Sequence, residues 1–496
     1  MTPFDSDPNM AHALRSLCTR ATAVLLLAVA GGCSSTPASK TESAMVDVPS
    51  NWSTGAGTAS ASGTLLASWW QGFNDPLLDQ LEVRALQTNS SINSAQAALR
   101  QARALRAVAN AALLPTLGSS ASAQRSRSNP SGQPGGQTAS NTFQAGLDAN
   151  WELDIFGANR SALRANEALV RASVASLGDV QVSITAELAL DYISLRSAQV
   201  RLAIARENLA SQQETLQITQ WRLQAGLVTA LDVEQARTAS EQTGALLPAL
   251  RTNIDQSRHA LAVLTGQPPA ALLAELASEG PMMPNARDEL GMRLPAETLR
   301  QRADVRSAEQ QVLAARARVS QAEAVRWPDF SIGGSLGVNA LALGALTNGT
   351  SVVSAILGSV SLPVFDGGAA RGQIDGQQAA LEQAQQAYRA VTLLALQEVE
   401  DALAALRDDR MRTIQLRSAA NAATSAASLA RAQYESGLVD FQTVLQTQRT
   451  QLGTQSDLAS ARADVASDHV RLVKALGGGW TPLLDITDQN AMADLP

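Results

Sequence analysis

With 496 residues, this chain is long enough for several ordinary domains or for one very elongated one. Its formal net charge of −7, with both signs interspersed, argues against an electrostatic nucleic-acid binder, which would carry a basic face. Aromatic residues make up only 3 %, low for a compact enzyme core, and abundant Ala, Leu, Gln and Ser suit long helices packed by small side chains.

The N-terminus reads as an export leader. Arg15 and Arg20 precede an apolar run from Ala21 to Ala30, too short to span a bilayer, and Gly31-Gly32-Cys33-Ser34 follows. Met10 is a second candidate start, because the residues before it do not resemble an n-region. Cys33 after small residues resembles a bacterial lipobox, although Ala30 stands where such motifs usually carry Leu. Residues 1–32 are therefore expected to be a signal peptide, Cys33 a lipid-attachment site, and 33–64 a Ser/Thr/Gly/Ala-rich tether. Cys18 and Cys33 are the only cysteines, so the body has no disulfide framework and no thiolate metal site. Beyond the leader only His259 and His469 remain, each inside a helical pattern, and neither a metal cluster nor a catalytic triad is expected.

The body begins at "SWWQGFNDPLLDQLEVRAL", where Asp75-Pro76 starts a helix with Leu77, Leu78, Leu81 and Leu86 on its apolar face. A second helical run goes from about Ser91 to Leu113 and is stopped by Pro115. Residues 142–153, "TFQAGLDANWEL", then alternate strictly: Phe143, Ala145, Leu147, Ala149, Trp151 and Leu153 on one face, polar residues and Gly146 on the other. With a weaker partner at about 117–127 this predicts a β-hairpin. From Gly157 the period changes. Leu188, Leu195, Leu202, Leu209, Leu216 and Leu223 recur every seven residues, the seam of a left-handed coiled coil about 100 Å long. Gly226 reverses the chain, and a returning helix ends at Gly266.

The same plan recurs 211 residues later, with Gly157, Gly226 and Gly266 falling on Gly368, Gly437 and Gly477. The expected organisation is a first repeat at 65–266, a linker at 267–295 and a second repeat at 296–477, with a tail at 478–496. The second repeat carries strands at about 329–339 and 351–365 and a helical hairpin at 368–477. Its seam holds Leu458, Ala461, Val465, Asp468, Leu472 and Ala475, in which the aspartate is anomalous.

The strands have the length that crosses an outer membrane when tilted. Trp151, Phe156, Trp327, Phe330 and Phe365 lie at the strand ends nearest the helices, where an interfacial aromatic belt would sit. Open edges are not tolerated in lipid, so four strands per chain demand a barrel shared between copies, and three copies supply twelve strands. The tips Gly226-Leu227-Val228 and Gly437-Leu438-Val439 pair a chain-reversing glycine with apolar residues that need a covering partner.

These features, with "WWQGFNDPLLDQL", "WELDIFG", "RADVRSAE" and "LPVFDGG", resemble the outer-membrane efflux lipoproteins of the TolC/OprM/NodT type over nearly all of the mature chain. The resemblance implies an α+β membrane protein: a homotrimer with a shared 12-stranded β-barrel continued by a periplasmic α-helical coiled-coil barrel. It implies a lipid-anchored outer-membrane exit channel for drugs or other small toxic compounds. The implied partners are a periplasmic adaptor and an inner-membrane pump, usually of the resistance-nodulation-division class; the tips would contact the adaptor, and no cofactor is involved. Ala303 departs from the family's usual Pro in the "RPDV" string. Thr443 and Gln446 stand where relatives carry the acidic residues of the periplasmic aperture, leaving Asp232 and Asp440 as candidates here. Two other readings compete: the duct of a type I protein-secretion system, and a periplasmic adaptor, which the membrane-length alternation at 142–153 speaks against. An enzyme finds no phosphate loop, nucleophile constellation or metal cluster to stand on.

Overall fold

A computed structural model describes residues 52–53, 67–128, 138–277, 284, 295–346 and 352–481, all within one unit, Val46–Pro496. The expected signal peptide, Cys33, nearly all of the tether, much of the linker and residues 482–496 lie outside the described residues. After a short 3-10 turn at Trp69–Phe73, the first half runs through α1 (Pro76–Thr88), α2 (Ser90–Ala111), β1 (Thr116–Ser128), β2 (Thr138–Leu153), α3 (Ala158–Gln224) and α4 (Ala230–Leu264). The second half answers with α5 (Pro295–Gln301), α6 (Ala303–Ala324), β3 (Asp329–Ala340), β4 (Val352–Ser361), α7 (Ala369–Glu435) and α8 (Phe441–Ala475).

Local chemistry sets these boundaries. Asp75 caps α1 by accepting from the N–H groups of Leu77 and Leu78, with Pro76 at the first helical position. The strand-to-helix corners use one device twice. Gly157 and Gly368 take positive φ of 82° and 92°, while Asp154 accepts from the N–H of Asn159 and Arg160, and Asp366 from those of Gly368 and Ala370. Strand β2 starts four residues earlier than the alternation indicates. Strand β4 ends at Ser361 rather than near 365: Pro363 brings no N–H to a ladder, so Phe365 lies beyond the strand.

Helices α3 and α7 each span 67 residues, about 100 Å of helix. The leucine seam of α3 holds only in its upper half, where Leu188, Leu195 and Leu202 are buried. Lower down the buried positions are Ala205, Asn208, Gln212, Thr215 and Thr219, whereas Leu209 and Leu216 are half-buried and Leu223 is exposed. A straight helix drifts about 20° per heptad, and α3 packs on both α4 and α8, so its buried face rotates away from a strict seven-residue repeat. Part of the polar seam is hydrogen-bonded: Asn208 Nδ2 donates to Gln455 Oε1 at 2.9 Å, and Gln448 Nε2 to Thr215 Oγ1 at 3.0 Å, whereas Gln212 Oε1 and Gln448 Oε1 meet no donor. Asp468 is buried on α8, its Oδ1 held by Arg471 Nη1 at 2.7 Å.

Each half is closed on itself by the same contact. Asn89, the N-cap of α2, donates to the Leu264 carbonyl at the end of α4; Arg302, the N-cap of α6, donates to the Ala475 carbonyl at the end of α8. Gly266 and Gly477 close these corners at positive φ, and a Cβ on Gly266 would lie 2.6 Å from the Thr88 carbonyl oxygen. Arg302 also pairs with Asp304 and Glu398, both at 2.7 Å. Ala303 opens α6 buried against Val182 and Trp480.

The main core gathers Trp69, Trp70, Phe73, Leu78 and Leu81 against Leu188, Tyr192, Leu195, Leu261 and Leu276. Asp75 accepts from the Tyr192 hydroxyl, which in turn accepts from Arg196. Glu82 is fully buried here, and neither of its oxygens meets a donor. Burial, then the nearby Asp79, pushes its carboxyl well above the usual range, which favours the neutral form. Desolvation and Glu187 likewise push Asp191 to about 6. A carboxyl whose pKa rises on folding contributes stability below its unfolded value, lost as pH rises through the folded one. Stability is therefore expected to fall from pH 5 to pH 8. Glu82→Leu should stabilise the protein at pH 8 by roughly 1–3 kcal/mol, the cost of an unsatisfied buried polar group. Melting curves at both pH values check this; a gap between variant and wild type that ignores pH would contradict it.

Candidate functional site: the sheet and the helical tips

The four strands form one antiparallel sheet in the order β1-β2-β3-β4, so β1 and β4 are its edges within the chain. Register aligns the apolar positions across strands: Leu117 faces Ala149, Leu147 faces Leu336, Trp151 faces Ile332, Leu153 faces Phe330, and Phe330 faces Val360. Because side chains alternate along a strand, this register puts one apolar stripe on one face. The opposite face carries Asp148, Gln144 and Asn339, with Ser120 donating to Asp148 at 3.1 Å. Strand β4 departs from the alternation, since Val353 and Leu357 stand on that second face opposite Gly337 and Gly333. Leu117, Leu336, Ile356 and Val360 are exposed. No helix among the described residues is long and apolar enough to cross a membrane.

Four of the five belt aromatics gather where sheet meets helices. Phe156 stacks on Trp327 with centroids 5.4 Å apart and lies 6.5 Å from Phe330. The Trp151 indole N–H donates to the Leu113 carbonyl at 3.1 Å. Phe365 stands apart from them in the β4–α7 connection, 91 % exposed.

At the far end, each tip closes by a Schellman turn: Gly226 and Gly437 sit at φ of 72° and 74°, and the N–H of Leu227 and Leu438 bond back to Arg222 and Gln433. Leu227 and Leu438 point outward, 68 % and 76 % exposed. Their valine neighbours differ. Val228 is half-buried, and Val439 packs on a cluster of Tyr434, Phe441, Val444 and Leu445. Asp232 completes a capping box with Thr229, accepting from its N–H and hydroxyl. Asp440 caps α8, and the Thr443 hydroxyl, then its N–H, hold that carboxyl below the usual range. Both candidate aperture carboxylates thus already serve helix caps.

Sequence reasoning missed two further features of the tips. Trp221 and Leu231 are also exposed beside Leu227, widening the apolar surface; as single residues they broke no periodic pattern that would have flagged them. The two tips of one chain are also locked together. The Arg222 guanidinium lies 4.4 Å from the Tyr434 ring centroid and donates to the Tyr434 carbonyl at 2.9 Å, and Arg431 bridges Glu214 at 2.6 Å and Glu435 at 3.1 Å. Among the described residues no group of three or more His, Cys, Asp or Glu could hold a metal ion.

Against known proteins, residues 81–267 and 294–478 both match the model of the family described as "Outer membrane efflux protein". The chain belongs to the outer membrane efflux protein family. The two matched segments fall on the two halves of the fold. Nodulation protein T of Rhizobium leguminosarum bv. viciae is 31 % identical over 87 % of this chain and 88 % of its own. The pyoverdine export outer membrane protein OpmQ of Pseudomonas aeruginosa is 32 % identical over 91 % and 94 %. Among solved structures, the outer-membrane channel OprN superposes with a TM-score of 0.80 at 32 % identity, covering 88 % of this chain and 99 % of that one. This outer membrane efflux protein is therefore an outer-membrane channel protein with a large helical part, and the exposed apolar stripe of its sheet is the surface such a location calls for.

Removing the Arg222 side chain should loosen α7 and α8 near 434–445 while sparing the sheet. Arg222→Ala is expected to raise amide exchange there by several-fold, matching a loss of about 0.5–1 kcal/mol for a partly exposed cation–π contact. Unchanged exchange at both tips would show that the contact carries no local stability.

Proposed function

We propose that the protein acts as a homotrimer forming the exit duct of a tripartite efflux pump that carries small toxic compounds out of the cell. Three sheets would close a twelve-stranded barrel by pairing β1 of one copy with β4 of the next. The carrying observation is the sheet itself: two open edges and an uncovered apolar stripe have no stable place in lipid unless the edges close on other copies. The long helices below would continue the duct, with Phe156, Trp327, Phe330, Trp151 and Phe365 at the membrane interface and Cys33 lipidated as a second attachment. Export of pyoverdine by the Pseudomonas aeruginosa relative supports a small-molecule cargo.

The exposed Leu227 and Leu438, flanked by Trp221 and Leu231, would dock a helical periplasmic adaptor coupled to an inner-membrane pump of the resistance-nodulation-division class. Asp232 and Asp440 would hold negative charge at the periplasmic aperture while capping their helices.

Cysteines placed at facing β1 and β4 edge positions should crosslink three chains in the outer membrane, with Cys33 of the mature chain replaced; crosslinking that stops at dimers would reject the shared barrel. Deleting the gene should sensitise cells to drugs, and wild type should restore resistance. Leu227→Asp or Leu438→Asp should fail to restore it while still crosslinking to trimers. Full resistance in both tip variants would remove the tips from adaptor docking. A deletion that leaves susceptibility intact but abolishes a secreted protein would assign the duct to secretion.

A further inference from the structure

Strand β4 is apolar on both faces, and membrane contact accounts for only one of them. Val353, Ala355 and Leu357 stand at alternate positions on the face that carries Asp148. Val353 and Leu357 are 56 % and 66 % exposed. Their cross-strand neighbours leave them bare: Val353 faces Gly337, Leu357 faces Gly333, and Ala355 faces Ser335, which in turn faces Asp148. Beside these two apolar ribs lies a floor of backbone and small residues. The Asp148 carboxylate stands beyond it, two strand spacings or roughly 9–10 Å from β4. The glycines are not equivalent. A Cβ on Gly337 would lie 2.9 Å from the Ala145 carbonyl oxygen, so strand packing dictates glycine there. A Cβ on Gly333 would meet nothing closer than 3.8 Å, so that bare position has no steric cause. Charge is sorted by face as well. Asp148, Glu152 and Asp329 share this face, which has no Lys or Arg among the described strand residues, whereas Arg125 and Arg127 stand on the other. Asp148 is exposed and accepts from the Ser120 hydroxyl at 3.1 Å, with no ion pair among the described residues.

We propose that Val353, Leu357 and Asp148 form a cargo subsite on the duct wall that selects cationic amphiphiles. The apolar body of the compound lies on the two ribs over Gly333 and Gly337, and its cation faces Asp148. The inference rests on the proposed barrel, in which the polar face of the sheet lines the duct. In that barrel β1 of the next copy flanks β4, and the middle of its matching face holds only Gly118, Ser120 and Ser122, too small to cover the ribs. Apolar side chains left bare in a wet duct mark a contact surface. One charge at the margin of such a surface orients a small ligand, and carboxylates without basic partners favour a cation. A shallow site repeated in three copies holds cargo weakly enough to let it pass.

The test uses rhodamine 6G, a cationic amphiphile, and the anionic dye fluorescein. Binding of each to the purified protein in lipid nanodiscs is followed by fluorescence polarisation, with empty nanodiscs subtracted. Wild type should bind rhodamine 6G more tightly than fluorescein. The double variant Val353→Thr/Leu357→Thr, Asp148→Asn, and Gly333→Val, which fills the floor and leaves every charge in place, should each weaken rhodamine 6G binding several-fold while crosslinking like wild type. In cells lacking the gene, these variants should restore resistance to the uncharged drug chloramphenicol as wild type does, but resistance to rhodamine 6G only in part. Wild-type binding that does not distinguish the dyes, or variants that bind rhodamine 6G as wild type does, would overturn the subsite and leave the duct standing. An equal loss of resistance to both compounds in all three variants would do the same, since it marks a general defect. A wild-type gene that restores resistance to neither compound would overturn the duct, and the subsite with it.

Discussion

The hydrogen bonds that β1 and β4 cannot make within their own chain are the constraint on which this architecture turns. A four-stranded sheet leaves a row of backbone donors and acceptors along each edge, and this one adds an apolar stripe with nothing packed on it. Water would satisfy the edges but oppose the stripe, and lipid would do the reverse. Closure on further strands would answer both demands, which is the ground for the proposed pairing of copies at the sheet.

Below the sheet the problem is different. A helix of 67 residues has too much surface for any single core, so it is divided among partners along its length. The middle of α3 gives leucines and Tyr192 to the main core; the lower part lies against α8 through Asn208, Thr215, Gln448 and Gln455. Polar pairs of this sort fix alignment while adding less stability than buried leucines, so firmness is concentrated around the middle of the helix. At the tips it is restored by the Arg222–Tyr434 and Arg431–Glu214 contacts. Asp468, anomalous on an apolar seam, belongs to a local group in which Arg471 compensates Oδ1 and a second carboxyl, that of Asp409, raises its pKa beyond the effect of burial.

The region where helix ends meet the main core concentrates the exceptions to simple patterning. Arg302, Asn89, Glu82 and the Asp75–Tyr192–Arg196 chain all bury polar groups where several helix ends meet. Most are satisfied, because each helix end supplies carbonyls or N–H groups lacking a partner in their own helix. Glu82 is the exception, and its neutral form is the one this environment tolerates.

Sequence alone determined the duplication, the order of elements, the glycine corners and the membrane-length alternation of β2, because period, turn chemistry and capping are local properties written in consecutive residues. Leu227 and Leu438 were legible for the same reason: a glycine turn followed by an apolar residue has nowhere to bury it. Tertiary structure alone decided that β4 stops before Pro363 and Phe365, that the buried face of α3 leaves its leucines halfway down, and that Val439 turns inward while Leu438 does not. It also joined Ser53 to Glu400 and Arg222 to Tyr434, partners 347 and 212 residues apart. Such pairings depend on how two long helices sit side by side. A rotation of a few tens of degrees would choose other partners, and no local pattern encodes that angle.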